Sequence, residues 1–500
     1  MSFQKAIIPF LVFSISFVNI VLCQRENSFQ TEANAILGTE TTPFWMRANK
    51  FGKVPTKGQT LALFAGAQSD YQNDESKIDW GYGLNIGGFV GMQNKFIVQQ
   101  AYAKAKWRAF ELYAGRREEI QGLVDTTLSS GSYIWSGNAL PLPKIQISIP
   151  NYTPIGASGL FSLKGNYAHG WFNRDRDDAK GVMLHQKSLY FRIGKPNYKL
   201  KLYAGLNHQA QWGGKILFPD PKGNYSENGR FGSSLSDYFY IVTGRSAVGE
   251  DSTRFAGANE VLNRVGNHLG SLDFAIELNG SKTKILIYRQ SVFDDGSLFY
   301  LNNITDGLNG ISVSFKNSLN QNIKINKIVF EFLNTLNQGG PFNGDNPLST
   351  STRGLDNYFN NTQFRDGWSF NKTSIGTPFL LTKYEYPNST SKKFDLIFSN
   401  NKVQSYYFGM NGAILNEYNF ESRFSFSKNW GSIGTPLRGI YQSSFLVNVN
   451  KDLGSILGGI NGNVTLAGDF GDLLESNFAI QFGIKKSINT LPFLHPTHRH

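Results

Sequence analysis

The residues with the clearest chemical potential lie in the stretch NHQAQWGG, Asn207 to Gly214, where a histidine and three carboxamides precede a tryptophan. A histidine can act as a general base, and His169 and His268 are further candidates. Nucleophilic catalysis also needs a nucleophile and an orienting acid within hydrogen-bond reach. The stretch GSSLS at 232–236 has serine where the G-x-S-x-G motif requires its last glycine. The pattern therefore favours binding over catalysis, with a hydrolase or acyltransferase as the enzymatic alternative.

The surrounding residues predict which element carries these side chains. From Lys199 onward apolar and polar residues alternate, which predicts a β-strand through Gln211. Positions 200, 202, 204 and 206 are apolar, so strict continuation places His208 and Trp212 on a lipid-facing side. Asn207, Gln209 and Gln211 take the opposite phase and are expected to face a polar lumen. Trp212 is then expected to be an aromatic anchor at the membrane rim.

The same period of two recurs along most of the chain, for example in SLDFAIELNG and ESNFAIQFGIKKS. The predicted strands are long, about nine to twelve residues, and their second face is often polar or small, which is typical of transmembrane barrels. Counting between Leu61 and Lys486 gives seventeen or eighteen strands, and bacterial barrels close with an even number. We therefore predict an all-β, transmembrane antiparallel barrel of about eighteen strands, with short helical or irregular periplasmic or plug segments.

The N-terminus and the charge indicate an exported protein with anionic partners. Lys5 precedes an apolar run from Ala6 to Leu22, which predicts a signal peptide at 1–23. The single cysteine, Cys23, lies at this boundary, and its acylation is the alternative to its removal. Loss of Lys5 lowers the formal net charge from +12 to +11. This balance favours acidic polysaccharide, lipopolysaccharide or lipid headgroups as partners, whereas nucleic acid is not expected for an exported barrel.

The predicted barrel covers 59–488, preceded by a periplasmic or lumenal lead-in at 24–58 and followed by a tail at 489–500. The aromatic residues of the lead-in, Phe44 and Trp45, are expected to be packing anchors. A short helix is placed within 116–137. The tight turn GKPNY before Lys199 and the long segment after Trp212 predict that this strand runs outward, since outer loops are the long ones. Inward acids and cations such as Glu331 are expected to pair with each other and fill the lumen.

A series of segments resembles one known family, the Wzi-type capsule assembly proteins in the form found in Bacteroidetes. The resemblance covers nearly the whole chain after the signal peptide, and its specificity lies in the order of the segments. They are TTPFWMRANKFGKVP, SSGSYIWSGNALPLPKIQISIPNYTPI, GLNHQAQWGG, GNHLGSLDF, DGLNGISV, IVFEFLNTLNQGGP and NNKVQSYYFGMNGAI.

The resemblance implies an outer-membrane barrel of a Gram-negative bacterium that binds capsular or related surface polysaccharide and assists capsule assembly, without catalysis. A monomer is expected. A passive porin is the alternative function, because it shares the barrel and the polar lumen. No cofactor is expected, and the terminal HPTHRH is expected to be a tail rather than a metal site. The polysaccharide-binding candidates are Asn207, Gln209, Gln211, Asn267, Asp273, Glu277, Arg245, Arg254 and Arg264.

Overall fold

The computed structural model describes residues 26–72, 78–220, 226, 229–245, 264–294, 297–316, 322–340, 356–386, 396–454 and 459–490. The signal peptide predicted at 1–23 lies outside these residues. So do the HPTHRH segment and all but the first two residues of the predicted tail.

Eighteen antiparallel strands form one closed sheet. Each strand pairs with its neighbours in chain order, and the last strand pairs with the first from Asn27↔Thr490 to Gly38↔Ala479. Closure leaves no free backbone edge, as a bilayer-spanning sheet requires. The strands are β1 Asn27–Gly38, β2 Thr60–Ser69, β3 Asp79–Gly91, β4 Lys95–Trp107, β5 Phe110–Arg116, β6 Lys144–Ile155, β7 Phe161–Trp171, β8 Met183–Ile193, β9 Leu200–Trp212, β10 Asn267–Asn279, β11 Thr283–Asp294, β12 Gly307–Phe315, β13 Ile323–Asn334, β14 Val403–Ile414, β15 Tyr418–Gly431, β16 Pro436–Asp452, β17 Ile460–Gly471 and β18 Asn477–Thr490.

The barrel begins earlier than the sequence predicts. β1 lies inside the segment predicted as a lead-in at 24–58, and it supplies the closing pairs to β18 and β2. Its outward face includes Thr31, Ala33 and Ala35 between Phe29 and Leu37. Because this face is only weakly apolar, the sequence does not predict β1 as a strand. Backbone pairing with β2 and β18 stabilises β1 instead.

The outer wall of the barrel is apolar and the lumenal wall is polar. In β10, Phe274 is 53% exposed and Ile276 is 43% exposed, whereas Asp273 on the opposite face is fully buried. Because the outward apolar residues have no protein cover, they form the lipid-facing belt of a transmembrane barrel. The alternation predicted from the sequence is confirmed.

Long loops gather at one end of the barrel, and short turns and both barrel termini lie at the other. By the usual asymmetry of such barrels, the long-loop end is the outer one, which gives β9 its predicted outward direction. The loops used below are L1 (39–59), L3 (117–143), L4 (172–182), L5 (213–266), L6 (295–306) and L7 (335–402).

Three of these loops, L1, L3 and L7, fold back into the lumen and are together called the plug. Trp45, in the short helix α1 (Phe44–Arg47) of L1, is fully buried against Tyr407 of the wall, with ring centroids 5.0 Å apart. Trp368 of L7 is also fully buried and donates its indole N–H to the carbonyl of Ile134 in L3 at 2.8 Å. The aromatic residues of the N-terminal segment are therefore packing anchors, as predicted.

Helical structure is sparse. L3 carries no α-helix, so the helix predicted within 116–137 is wrong; its backbone is fixed by bonds to the wall instead. A second helix, α2 (Leu235–Thr243), lies in L5. Among the described residues no helix is long and apolar enough to cross a bilayer.

The lipid-facing belt yields a stability prediction. We expect Phe274→Arg at the middle of β10 to destabilise the folded barrel by about 2–4 kcal/mol, because it places a cation in the hydrocarbon region. Leu301→Arg is the control, since Leu301 is 61% exposed in an outer loop. Urea titration of both variants in lipid vesicles measures the difference. Equal stabilities would show that the outer face of β10 does not contact lipid.

Candidate functional site

The predicted carboxamides face the lumen, as expected, but the plug covers them. Asn207, Gln209 and Gln211 have no exposed surface. Gln211 donates its amide N–H to the carbonyl of Gly367 in L7 at 2.9 Å, and Asn267 donates to the Gln211 side-chain oxygen at 2.9 Å. A glycan at the mouth would not touch them in this conformation. Their direct role in glycan binding stays a prediction.

Two buried wall carboxylates hold L3 in place. Asp273 accepts the Leu123 N–H at 2.8 Å. Glu331 accepts the Ser130 N–H and the Ser129 hydroxyl, both at 2.6 Å. A buried carboxylate without partners costs several kcal/mol, so these bonds tie the plug to the wall.

The charged candidates do not lie together. Glu277 lies near the inner end of β10 and forms salt bridges with Lys201 at 2.5 Å and Lys284 at 3.2 Å. Arg245 and Arg264 lie in L5, and Arg245 lies 5.7 Å from the ring centroid of Phe239. Arg254 lies outside the described residues.

The predicted lipid exposure of His208 and Trp212 is wrong. Both keep the outward phase of β9, but they are only 7% and 5% exposed. α2 packs over Trp212, whereas the rings of His185, His268 and Phe293 cover His208. The Tyr238 ring of α2 lies 4.9 Å from Trp212, and its hydroxyl is 3.1 Å from His185. Local alternation predicts which face of the strand a side chain lies on. The residues that bury that side chain are more than twenty positions away in the sequence.

The histidines contact each other rather than an acid. His208 Nε2 lies 2.9 Å from His268 Nδ1, whose other ring nitrogen lies 2.7 Å from the Val265 carbonyl. The hydroxyl of Ser234, in the GSSLS stretch, accepts the Asp237 N–H at 3.2 Å and caps α2. The described residues contain no group of three or more side chains that could hold a metal ion.

A second set of charges holds the base of L3. Glu119 bonds Lys144 at 2.6 Å and Arg117 at 2.7 Å, and Arg117 also bonds Glu111 at 2.6 Å. Burial alone would raise the pKa of Glu119, but Lys144 and Arg117 outweigh it and lower that pKa to about 2. Glu119 is therefore anionic at neutral pH and binds L3 to β6.

The outer surface of the plug carries an exposed aromatic ring among charges. Tyr384 of L7 is 45% exposed, and Lys372 Nζ lies 4.3 Å from its ring centroid. Lys372 pairs with Asp177 of L4 at 3.1 Å, and the Tyr384 hydroxyl donates to the same carboxylate. The Tyr384 hydroxyl and Lys372 lower the pKa of Asp177. With Lys383 and Arg365, these residues form what we call the outer-mouth patch.

A small cleft of about 150 Å³ adjoins Tyr384. Arg47 and Glu385 form a salt bridge of 3.5 Å in it, and burial raises the pKa of Glu385. L1 contributes its hydroxyl and ammonium groups from Thr41, Thr56 and Lys57. An exposed ring beside hydroxyl and cationic donors suits a sugar, whose C–H face stacks on aromatics while its hydroxyl and carboxylate groups bond the donors.

Sequence reasoning missed this patch. Tyr384, Lys372 and Asp177 lie in loops without periodicity, and L4 and L7 meet only in the folded protein. Asp366 joins these loops by accepting the Asp177 N–H at 2.9 Å. The available signal was the run of aromatic and basic residues LLTKYEY at 380–386.

The charges at the base of L3 predict a pH dependence. The folded pKa of Glu119 is about 2, below its ordinary 4.5. The contribution of ionised Glu119 to the stability of the folded state is therefore complete above pH 4.5. It falls towards pH 2, by up to about 1.4 kcal/mol per pH unit. As the pH falls across this range, we expect channel-opening events in planar bilayers to become more frequent. In Glu119→Gln, open events should already be more frequent at pH 7, with a flatter pH profile. Glu417→Gln, at an exposed inner turn, is the control, and an unaltered profile in Glu119→Gln would contradict this assignment.

This chain is similar to several solved structures, all at low sequence identity. The Escherichia coli protein Wzi, described as an outer membrane protein involved in group 1 capsule assembly and a carbohydrate-binding β-barrel, matches with a TM-score of 0.57 and 15% identity over 96% of this chain and 88% of that chain. OccK5 (OpdH) of Pseudomonas aeruginosa matches with a TM-score of 0.47 and 9% identity over 93% of this chain and 98% of that one. OccAB4 of Acinetobacter baumannii matches with a TM-score of 0.46 and 8% identity over 94% of this chain and 100% of that one.

Sequence comparison identifies the family. No curated protein matches this chain. The family model described as "Capsule assembly protein Wzi" matches residues 28–379, well over half of the chain. The chain therefore belongs to the Wzi family of capsule assembly proteins.

Proposed function

We propose that this barrel binds an acidic capsular or related surface polysaccharide at its outer mouth and so assists capsule assembly. The observation that carries the proposal is the exposed ring of Tyr384, held between Lys372 and Asp177 on top of a filled lumen. The E. coli relative is described as a carbohydrate-binding barrel, which supports the same ligand class.

The charge of the outer-mouth patch favours an anionic glycan. Two cations lie beside the exposed ring, with Lys372 Nζ 4.3 Å and Lys383 Nζ 5.7 Å from the Tyr384 ring centroid. Uronate carboxylates would compete with Asp177 for Lys372, whose side chain is 44% exposed. A neutral glycan would gain only the stacking contact on Tyr384.

The predicted carboxamides have an indirect role in this proposal. Gln211 bonds Gly367 of L7, and Asn361 of L7 donates to Asn267 at 3.1 Å. Because L7 also carries Lys372 and Tyr384, the carboxamides fix the loop that presents the patch. Asp273 contributes in the same way through L3.

The filled lumen supports binding over passive transport. Among the described residues, plug side chains such as Trp45, Tyr133 and Trp368 pack at most 1% exposed inside the barrel. An open porin would need this core to leave the lumen. The histidine pair on the outer wall and the helix-capping Ser234 likewise support binding rather than catalysis.

We also propose an outer-membrane location as a monomer, with α2 contacting outer-leaflet lipid or lipopolysaccharide. Leu235 and Phe239, one helical turn apart, are 86% and 56% exposed, whereas Ile241 packs on the wall beside Trp212. A helix on the outer wall that exposes large apolar side chains is suited to lipid. Arg245 beside Phe239 would then lie near anionic headgroups.

Loss of the exposed ring tests the glycan site. We expect Tyr384→Ala to weaken retention of a polyuronate, such as alginate, at least tenfold, because it removes the stacking face and the hydroxyl that holds Asp177. Biolayer interferometry with immobilised alginate measures this, and neutral dextran serves as the ligand control.

Tyr198→Ala is the matched variant, since Tyr198 is 43% exposed at the opposite, inner end. Equal retention by the wild type and Tyr384→Ala would contradict the outer-mouth site.

Lipid contact by α2 has a separate test. The only cysteine of the chain is Cys23, in the predicted signal peptide, so Phe239→Cys introduces a unique labelling site in the processed protein. We expect a fluorophore at this position to be quenched by spin-labelled lipid in nanodiscs. A fluorophore at Tyr384→Cys should stay unquenched. Equal quenching at the two positions would contradict the proposed position of α2.

A further inference from the structure

A second polar cavity lies at the opposite end of the barrel. It has a volume of about 530 Å³, within the roughly 300–1,000 Å³ of small-molecule sites. It reaches the inner ends of the strands, since Asn461 is the second residue of β17. L1 roofs it with residues 49–51, 53 and 54, so the plug separates it from the outer mouth.

The wall of this inner cavity is a grid of carboxamides. Asn450 pairs in register with Asn463, Asn463 with Gly483, and Gly483 with Asn34, so one row crosses β16, β17, β18 and β1. Adjacent strands are about 4.8 Å apart, which spaces these amides like hydroxyls on opposite sides of a hexose ring. A second lumenal row lies two residues along each strand, towards the outer end of the barrel. It is formed by Asn448, Thr465 and Gln481.

Glycine creates the room between the amides. A Cβ at Gly483 would lie 2.2 Å from Asn34 Oδ1 and 2.3 Å from the Asn463 side-chain nitrogen. Any larger residue would push these amides out of the row. Among the described residues, Asn461 and Asn463 form no side-chain hydrogen bond, so their donors and acceptors are available to a ligand.

The charges around the inner cavity balance. Lys53 bonds Glu118 at 2.9 Å, and Arg423 bonds Glu421 at 2.7 Å. Lys50 and Glu32 add one further cation and one further acid to the lining. Phe51, fixed by its N–H to the Gly137 carbonyl at 2.7 Å, supplies an aromatic surface in the roof. Balanced charges, free carboxamides and one aromatic side chain are the chemistry of a neutral sugar site.

We propose that the inner cavity binds a neutral saccharide of one or two sugar residues from the periplasmic side. This site goes beyond the proposed function: it lies at the other end of the barrel, uses other residues and prefers uncharged ligands. The barrel then has two carbohydrate sites of different charge preference, separated by the plug.

Saturation-transfer NMR on the complete barrel in a sugar-free detergent tests the proposal. The probes are maltose, cellobiose, lactose and N,N′-diacetylchitobiose. We expect saturable transfer to at least one of them, and at least tenfold weaker binding in Asn463→Leu and Asn450→Leu. Asn411→Leu, a lumenal asparagine outside the inner cavity, should bind like the wild type.

The outcomes separate the two sites. Binding that Tyr384→Ala retains and Asn463→Leu loses supports the inner cavity, even if polyuronate binding at the outer mouth fails. Binding lost in Tyr384→Ala but kept in Asn463→Leu would place the sugar at the outer mouth and overturn the proposal. So would the absence of transfer to any probe. Thermal unfolding verifies that each variant is folded, and Asn450→Leu replaces Asn463→Leu if the latter is not.

Discussion

The structure depends on the need to satisfy buried carboxylates in a lumen that the plug fills. Asp273 and Glu331 project inward from β10 and β13, and among the described residues of the plug neither has a basic side chain as its partner. The backbone N–H groups of L3 supply the hydrogen bonds instead. Because unpaired buried charge is costly, the wall selects one position of L3, and the aromatic core then fixes L1 and L7 against it.

Much of the fold follows from local periodicity, because a transmembrane strand must present apolar side chains to lipid at every second position. The strand number and the inward phase of Asn207, Gln209 and Gln211 are predicted in this way. The lengths of the flanking loops predict the outward direction of β9. β1 is not predicted, because Ala33 and Ala35 make its apolar alternation weak. Its pairing with β18 nevertheless closes the barrel.

The remaining features depend on contacts between distant segments, which periodicity does not encode. The phase of Trp212 is predicted correctly, but its cover by α2 requires the fold of L5. The carboxamides are placed on the right face, but their partner, Gly367, lies in L7. Tyr384 and Asp177 become one surface only when L4 and L7 meet.

A plug that fills the lumen leaves two separate surfaces for ligands, a cationic one outside and an amide-rich one inside. We propose that this barrel retains glycan at its mouth and does not conduct through its lumen. Polyuronate retention and single-channel conductance, measured on the same preparation of purified protein at neutral pH, test both parts of this proposal. We expect saturable retention with no large steady conductance. Large steady conductance without retention would contradict it and assign the barrel to the passive porins.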